Sequence, residues 1–303
     1  MKILFIGDPH LDTQTPISRL DDYRQLTLDK LHSLLKVCLD NNVEALITTG
    51  DVFHRYDIPI SYIIEVLDVL AKFKENNIKV YSLIGNHDLD RDNMKFFYRM
   101  PLNLLFSSGL MEHLTVLNLP KADIYGLDFT ESISKFRSVK LDKTKTNILV
   151  MHYATDNTVA GGSIPRNDLI DFHIVVSGHD HTYYTPEDFH PTILRPGSFT
   201  RRTKEAYNLT RKIVYYIYDT ETDNILENSL PTKPAKEVFR NEVYASPTMF
   251  TDGIIDFTEA FEDLYKETEV KSIYDIIEIL KLSNMITTDI YNNIIQYLKD
   301  RGA

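Results

Sequence analysis

Seven residues of metal-holding types stand in short polar motifs along this chain. Asp8 and His10 lie in Gly7-Asp8-Pro9-His10, and Asp51 lies in Gly50-Asp51-Val52-Phe53-His54. Asn86 lies in Gly85-Asn86-His87-Asp88, His152 follows Met151, and His179 and His181 lie in Gly178-His179-Asp180-His181. Asp, Asn and His without Cys suit Mn²⁺, Fe or Zn²⁺ rather than a soft-metal site. A carboxylate such as Asp51 can hold two ions, one on each oxygen, if other ligands surround it. Two ions about 3.5–4 Å apart can activate water and clamp the attacking and leaving oxygens of a phosphate ester. Neutral imidazoles complete such a site without adding negative charge that would repel phosphate.

Singly, each motif has a bland reading. Gly-Asp is a common turn, and a lone histidine is most often a core or surface group. The five motifs together follow five apolar strands, Lys2 to Ile6, Val43 to Ile47, Lys79 to Ile84, Asn147 to Met151 and His173 to Val176. Open α/β sheets place their ligands at the carboxyl ends of strands. Helices are expected at Leu20 to Asn41 and at Ile60 to Glu75, where apolar residues recur at helical spacing and Pro59 suits a helix start. Strands alternating with helices imply a largely parallel sheet. Short strands follow at Leu114 to Leu117 and Asp123 to Phe129, and another at Ile213 to Tyr218. Ser132 to Thr146 reads as a solvated loop or short helix. Met94 to Phe106 is rich in large apolar groups and reads as core, with a dimer face as the alternative.

Pro231-Thr232-Lys233-Pro234 marks a boundary, which gives a domain over 1–230 and a linker with helices over 231–303. Amphipathic helices are expected at Ser272 to Leu282 and from Thr288 or Asp289 to Leu298, ending near Gly302. They either pack on the main domain, form a reduced cap, or dock a partner. The net charge is −11, and from Thr251 onward eleven Asp/Glu stand against five Lys/Arg. That leaves −5 for the first 250 residues, and bound metal would offset several of their carboxylates. Non-specific coating of nucleic acid is disfavoured, but a polyanionic substrate is not excluded. Cys38 is the sole cysteine and falls in an apolar helical stretch, so it reads as core in a reducing, cytoplasmic setting. No apolar run approaches the roughly 20 residues of a membrane helix, and no targeting signal or membrane partner is expected.

The ordered motifs Gly-Asp-Pro-His, Gly-Asp-Val-Phe-His, Gly-Asn-His-Asp, Met-His and Gly-His-Asp-His resemble those of the calcineurin-like metallophosphoesterase superfamily over roughly residues 1–200. Two features are similar to the SbcD-type nucleases of the SbcCD and MRN double-strand-break repair complexes. One is His54, three residues after Asp51; the other is Arg195-Pro196-Gly197-Ser198-Phe199-Thr200-Arg201. Protein Ser/Thr phosphatases of the superfamily carry Asp-Arg-Gly where this chain has Phe53-His54-Arg55, and Glu after Asn-His where it has Asp88.

The resemblance implies a four-layer α/β/β/α metallophosphoesterase sandwich with a small C-terminal helical extension. It implies two divalent ions, Mn²⁺ foremost. One would be held by Asp8, His10, Asp51 and His181, the other by Asp51, Asn86, His152 and His179. His87 would be the unliganded histidine that stabilises the transition state or protonates the leaving oxygen. His54 would position the scissile phosphate or the DNA end, with a supporting or surface histidine as the bland alternative. Arg195, Ser198, Arg201 and Arg202 would contact DNA, within a segment to Lys212 that holds six basic residues against Glu205 alone. Tyr183 and Tyr184 either stack on a base or pack.

The expected function is a Mn²⁺-dependent DNA exonuclease/endonuclease of break repair or recombination that uses a two-metal-activated hydroxide. A homodimer and an SbcC-type ATPase partner are implied with it. The chain holds no Gly-x-x-x-x-Gly-Lys-Ser/Thr loop, so ATP coupling would come from another subunit. The alternatives are a small-molecule phosphodiesterase or phosphatase of the same superfamily, and a non-catalytic binding subunit on this fold.

Overall fold

A computed structural model describes residues 1–90, 93–155, 162–184 and 190–240, with Lys281, Tyr291 and Ile295 beyond them. The chain divides into two compact units, Met1–Val243 and Tyr244–Ala303. The first carries every motif above. The expected helices at Ser272 to Leu282 and Thr288 to Leu298 lie outside the described residues, except that Lys281, Tyr291 and Ile295 are helical.

The first unit runs β1 (Lys2–Ile6), α1 (Tyr23–Asn41), β2 (Ala45–Thr48), α2 (Ile60–Glu75) and β3 (Lys79–Ser82). It continues with α3 (Pro101–Ser107), β4 (Glu112–His113), β5 (Val116–Asn118), β6 (Ala122–Leu127) and β7 (Thr146–Met151). Then come the short β8 (Ala154–Thr155) and β9 (Ser163–Ile164), β10 (Ile174–Ser177), β11 (Thr192–Leu194), α4 (Ala206–Thr210), β12 (Ile213–Asp219), β13 (Asn224–Leu230) and α5 (Ala235–Val238).

Two large sheets form, in the orders β13-β12-β1-β2-β3-β4 and β11-β10-β7-β6-β5, beside the two-stranded β8-β9. β1, β2 and β3 are parallel, as are β6, β7, β10 and β11. Every residue of β2 is buried, and Ile3, Leu4 and Phe5 of β1 are fully so. Side chains alternate between faces along a strand. Ile3, Phe5 and Ile47 therefore meet Ile124, Ile148, Val150 and Val176 between the sheets. Leu4, Ile6 and Leu46 face the other way, against Leu31, Leu34, Val66 and Leu70 of α1 and α2. Each such side chain contributes roughly 1.5–3 kcal/mol by leaving water. The outer face of the second sheet is covered by 3₁₀ turns, Ile133–Ser138 and Arg166–Leu169, rather than by α-helices.

Both helices that frame the site start and stop for local reasons. Asp22 caps α1 by accepting from the Gln25 amide, and Asn42 ends it in a left-handed conformation at φ 54°. Pro59 precedes α2 with its fixed φ. The apolar Met94 to Phe106 stretch divides: Leu102 and Leu105 are core, while Met94, Tyr98 and Leu104 are exposed. Among the described residues no helix is long and apolar enough to cross a membrane.

Lys30 of α1 is an anomaly in this packing. It is 9% exposed, and its Nζ lies 5.5 Å from the centre of the Phe199 ring. Burial, then the positive charges of Arg211, Arg201 and Arg19, pull its ammonium down to about 7. Unfolded, the group titrates near its ordinary value of about 10.4. Between those values the unfolded chain binds a proton that the folded chain does not, so this contribution to stability rises with pH across the window. Lys30→Met is expected to stabilise the protein at pH 7 by an amount on the order of a few kcal/mol, at about 1.4 kcal/mol per unit. The advantage is expected to shrink towards zero near pH 10. Urea unfolding of both proteins at the two pH values measures it; an unstabilised variant at pH 7 would refute the buried-charge account.

Candidate metal centre

The loops that follow the carboxyl ends of β1, β2, β3, β7 and β10 carry the motif residues and bring them together. Donor atoms of Asp8, His10, Asp51 and His181 all lie within 4.8 Å of one another. His10 Nε2 and His181 Nε2 are 2.9 Å apart. That matches the roughly 3 Å between adjacent ligands on one ion with bonds near 2.1 Å. A second group forms around Asn86. His152 Nε2 and His179 Nδ1 each stand 3.1 Å from Asn86 Oδ1, and His152 Nε2 is 3.3 Å from Asp51 Oδ2. Asp51 thus belongs to both groups.

The two oxygens of Asp51 are placed differently. Asp51 Oδ1 accepts the His87 amide at 2.9 Å. Oδ2 alone lies between the groups, 3.7 Å from His10 Nε2 and 3.3 Å from His152 Nε2, buried and without a hydrogen bond. A buried carboxylate oxygen with no donor costs free energy unless a cation meets it. That orphan oxygen, ringed by imidazoles and an amide oxygen, fits a pair of divalent ions.

The charge balance points the same way. Burial raises the Asp8 carboxyl. Burial also opposes the charge on Asp51, but His152 and His87 outweigh it and hold Asp51 well below its ordinary value. Burial likewise opposes a proton on His152; Asp51, Asp8 and the Thr49 carbonyl overcome it and set that imidazole at about 9. Two buried carboxylates draw a positive charge into the site. Burial keeps His10 and His179 neutral, His179 down at about 3 with His152 adding to the effect. Neutral imidazoles have the lone pairs that metals take.

The surrounding shell orients these groups. A carbonyl only accepts, so His152 Nδ1 carries the proton it donates to Thr49 O at 2.8 Å, and Nε2, once an ion displaced its proton, would be the ligand nitrogen. Thr49 Oγ1 donates to Asp8 Oδ1, and the His179 amide donates to Asp8 Oδ2. Asp88 accepts from the amides of Phe53 and Gly85 and so ties two ligand loops together. Asp128 accepts from the Ile84 amide and pairs with His113 at 2.7 Å. Sequence reasoning did not single out Thr49 or Asp128, because a lone Thr or Asp carries no motif.

Three of the expected ligands, His10, Asp51 and His179, have left-handed backbone at φ 45°, 48° and 68°. Such non-glycine conformations cost of order 1–3 kcal/mol each and persist where the surroundings enforce them. Gly50, at φ 104°, has no room for a side chain beside His152 Nδ1. A Cβ on Gly85 would fall on Asp51 Oδ1 and its amide nitrogen. Gly85→Ala is expected to destabilise the protein by about 1–3 kcal/mol through overpacking and to weaken metal binding. Thermal unfolding with and without Mn²⁺ measures both; an unchanged Tm in either condition would contradict the packing read here.

His54 and His87 lie next to the first group. Their rings stack at 4.9 Å, and His54 Nδ1 is 3.4 Å from His10 Nδ1. His54 is 6% exposed, and burial, then Arg202, hold its imidazole neutral. His87 Nδ1 donates to the His54 carbonyl at 2.8 Å.

Of the four residues expected to contact DNA, three turn inward. Arg195 pairs with Asp180 at 2.7 Å and covers Tyr184. Ser198 donates to Thr200 O and accepts from Arg211. Arg201 reaches the carbonyls of Asn208, Leu209 and Lys233. Arg202 remains beside the histidines. Tyr183 packs against the core between the sheets and donates to Glu227. A cavity of about 1120 Å³ lies at the other ends of β7 and β10, between Phe136, Phe172, His173 and His190, and includes none of the ligand residues.

A family model, calcineurin-like phosphoesterase, matches residues 1–183. The chain belongs to that family. As a calcineurin-like phosphoesterase it is a metal-dependent hydrolase of phosphate esters by class. It is 27% identical over 194 residues to the DNA double-strand break repair protein Mre11 of Sulfurisphaera tokodaii, covering 60% of this chain and 49% of the relative. To the protein of that name from Methanocaldococcus jannaschii it is 25% identical over 193 residues, covering 60% and 51%. The chain thus spans about half the length of these curated relatives. Among solved structures, a dimetal phosphatase from Danio rerio aligns at a TM-score of 0.48 and 12% identity, over 72% of this chain and 91% of the other.

Proposed function

We propose that this phosphoesterase is a Mn²⁺-dependent DNA exonuclease/endonuclease acting in double-strand-break repair or recombination. The observation that carries the reading is its similarity to relatives named for that repair, over about 60% of the chain. The His54–His87 pair beside the metal groups supports it, since the Ser/Thr phosphatase branch carries Asp-Arg-Gly where this chain has Phe53-His54-Arg55.

Asp8, His10, Asp51 and His181 would hold one ion, and Asp51, Asn86, His152 and His179 the other. Such ions supply Lewis acidity at the phosphate and lower the pKa of water. The protein's own groups do the rest. His87 is held through Nδ1 by the His54 carbonyl, so that in its imidazolium form Nε2 would carry the proton that goes to the leaving oxygen. His54 braces His10 and walls the phosphate on that side. We assign docking of an SbcC-type ATPase to residues 231–303 and a homodimer contact to exposed apolar groups such as Ile60, Ile64, Met94 and Tyr98.

The burial of Arg195, Ser198 and Arg201 favours a second reading, a small-molecule phosphodiesterase. End-labelled duplex DNA and bis-p-nitrophenyl phosphate, each with Mn²⁺, separate the two. Cleavage of both is expected. Hydrolysis of the small ester with DNA intact, even with an ATPase partner added, would select the second reading.

A further inference from the structure

Phe129 lies just past the end of β6, and its ring borders the second donor group. The ring centre is 5.3 Å from that of His179 and 6.0 Å from that of His152. The ring also stacks on Tyr153, at 5.7 Å between centres and 21° between planes. The backbone around it is fixed. The Phe129 amide donates to Ile84 O at 3.0 Å, and Asp128 accepts from the Ile84 amide at 2.8 Å. The Tyr153 hydroxyl is shared between the carbonyls of Phe129 and Glu131. The Phe129 side chain stays half-buried. Among the described residues it is a member of none of the three apolar clusters.

A phenylalanine that served the core would sit in one of those clusters. This one places its apolar surface among residues of metal-holding type and leaves part of it in water. Nor is it needed to orient His152, which the Thr49 carbonyl already holds through Nδ1. A rigid, half-exposed aromatic ring beside a phosphate site is a platform for a base. Every nucleobase offers a π face, and a ring fixed in advance loses little freedom on binding. The side of the substrate follows from His87. Its ring adjoins His10 of the first group, at 4.9 Å between centres, whereas Phe129 adjoins the second. The oxygen that His87 would protonate and the ring of Phe129 thus belong to different metal groups. The base at Phe129 is therefore carried by the ester that is retained, not by the one that leaves.

We propose that Phe129 stacks on the base of the nucleoside retained at the scissile phosphate, which makes the preferred substrate a nucleoside phosphodiester. The inference rests on the nuclease reading and deepens it: the second metal group selects for a base but not for which base, because stacking is tolerant of sequence.

The test compares the thymidine 5′- and 3′-(p-nitrophenyl phosphates) with methyl p-nitrophenyl phosphate, which has the same leaving group and no base. With Mn²⁺, the wild-type protein is expected to favour one of the thymidine esters about tenfold in kcat/KM, the scale of one base stacked on an aromatic ring. Phe129→Leu is expected to bring that ratio near one. A ring that only shields His152 and His179 would lower both rates together and leave the ratio standing. A second readout needs no turnover. The chain has no tryptophan, so Phe129→Trp puts a single indole at the site. Thymidine monophosphate is expected to quench its fluorescence, deoxyribose phosphate is expected not to, and inorganic phosphate is expected to reverse the quench. No thymidine preference in the wild type, a preference that survives Phe129→Leu, or equal quenching by the sugar phosphate overturns the stacking. These small compounds read the site whether or not DNA is cut. Stacking with duplex DNA uncut removes the nuclease reading and keeps the role of Phe129; cutting without a thymidine preference does the reverse.

Discussion

Asp51→Asn is expected to lower kcat/KM on bis-p-nitrophenyl phosphate by about 10³-fold or more and to cut bound Mn²⁺ to at most one ion per chain. The reason is the position of Oδ2. It is the one oxygen shared by the two groups, 3.7 Å from His10 Nε2 and 3.3 Å from His152 Nε2. An amide retains an oxygen but not the charge, and it adds two protons that must point somewhere. Where its nitrogen faced the metal groups, it would repel both ions. Where its oxygen did, the nitrogen would face the His87 amide now held by Oδ1 at 2.9 Å, donor against donor. Loss of several kcal/mol of Lewis-acid stabilisation corresponds to three or more powers of ten in rate. Isothermal titration with Mn²⁺, beside the hydrolysis assay, tests both halves. Two ions bound with near-normal affinity would remove Asp51 from the bridging role.

His87→Ala is expected to lower kcat by roughly 10²–10⁴-fold, the usual worth of a general acid, while Mn²⁺ stoichiometry stays at two. The ring takes no part in either donor group, and its Nδ1 is committed to the His54 carbonyl. Its loss therefore removes a proton donor and leaves the ligands in place. The choice of leaving group sharpens the test. A good leaving group such as p-nitrophenolate needs little protonation, so the deficit on bis-p-nitrophenyl phosphate should be smaller than on a DNA phosphodiester. Equal deficits on both would argue for charge stabilisation by His87 rather than proton transfer. Loss of an ion in the variant would argue for a structural role.

Much of the candidate ligand set could be read in the sequence because each motif ends an apolar strand. A buried parallel strand must leave the sheet at its carboxyl end, so the next polar residue lies at the shared edge. Asp8, Asp51, Asn86, His152 and His179 all arrive that way, and the structure brings their side chains together. The helix at Ile60–Glu75 was legible for a similar reason, since its apolar spacing and Pro59 agree. β13 was not, because it is an edge strand whose residues are mostly exposed and carry no alternating pattern.

The basic run after Arg195 shows where such reading stops. Its composition is that of a phosphate-binding loop, and Arg202 stays near the histidines. Arg195, Arg201 and Arg211 instead turn their guanidiniums to Asp180 and to the carbonyls of Ser198, Thr200, Asn208 and Lys233. A long cationic side chain satisfies itself equally well with a phosphate or with loop carbonyls, and residue order does not say which is closer. Met94 to Phe106 divides between core and surface for a related reason: dense hydrophobicity in short helical turns does not state which face is covered.

The sequence by itself determined the family of chemistry: hard-ligand residues at five strand ends, no thiolate set, and a parallel α/β frame. Those follow from residue type and from the geometry of strands, which are local. Only the tertiary structure decided which oxygen of Asp51 is shared, that His10, Asp51 and His179 adopt left-handed backbone, and that Asp12 gathers Arg55 and Arg202. These depend on contacts between residues far apart in the chain, whose distances are set by packing.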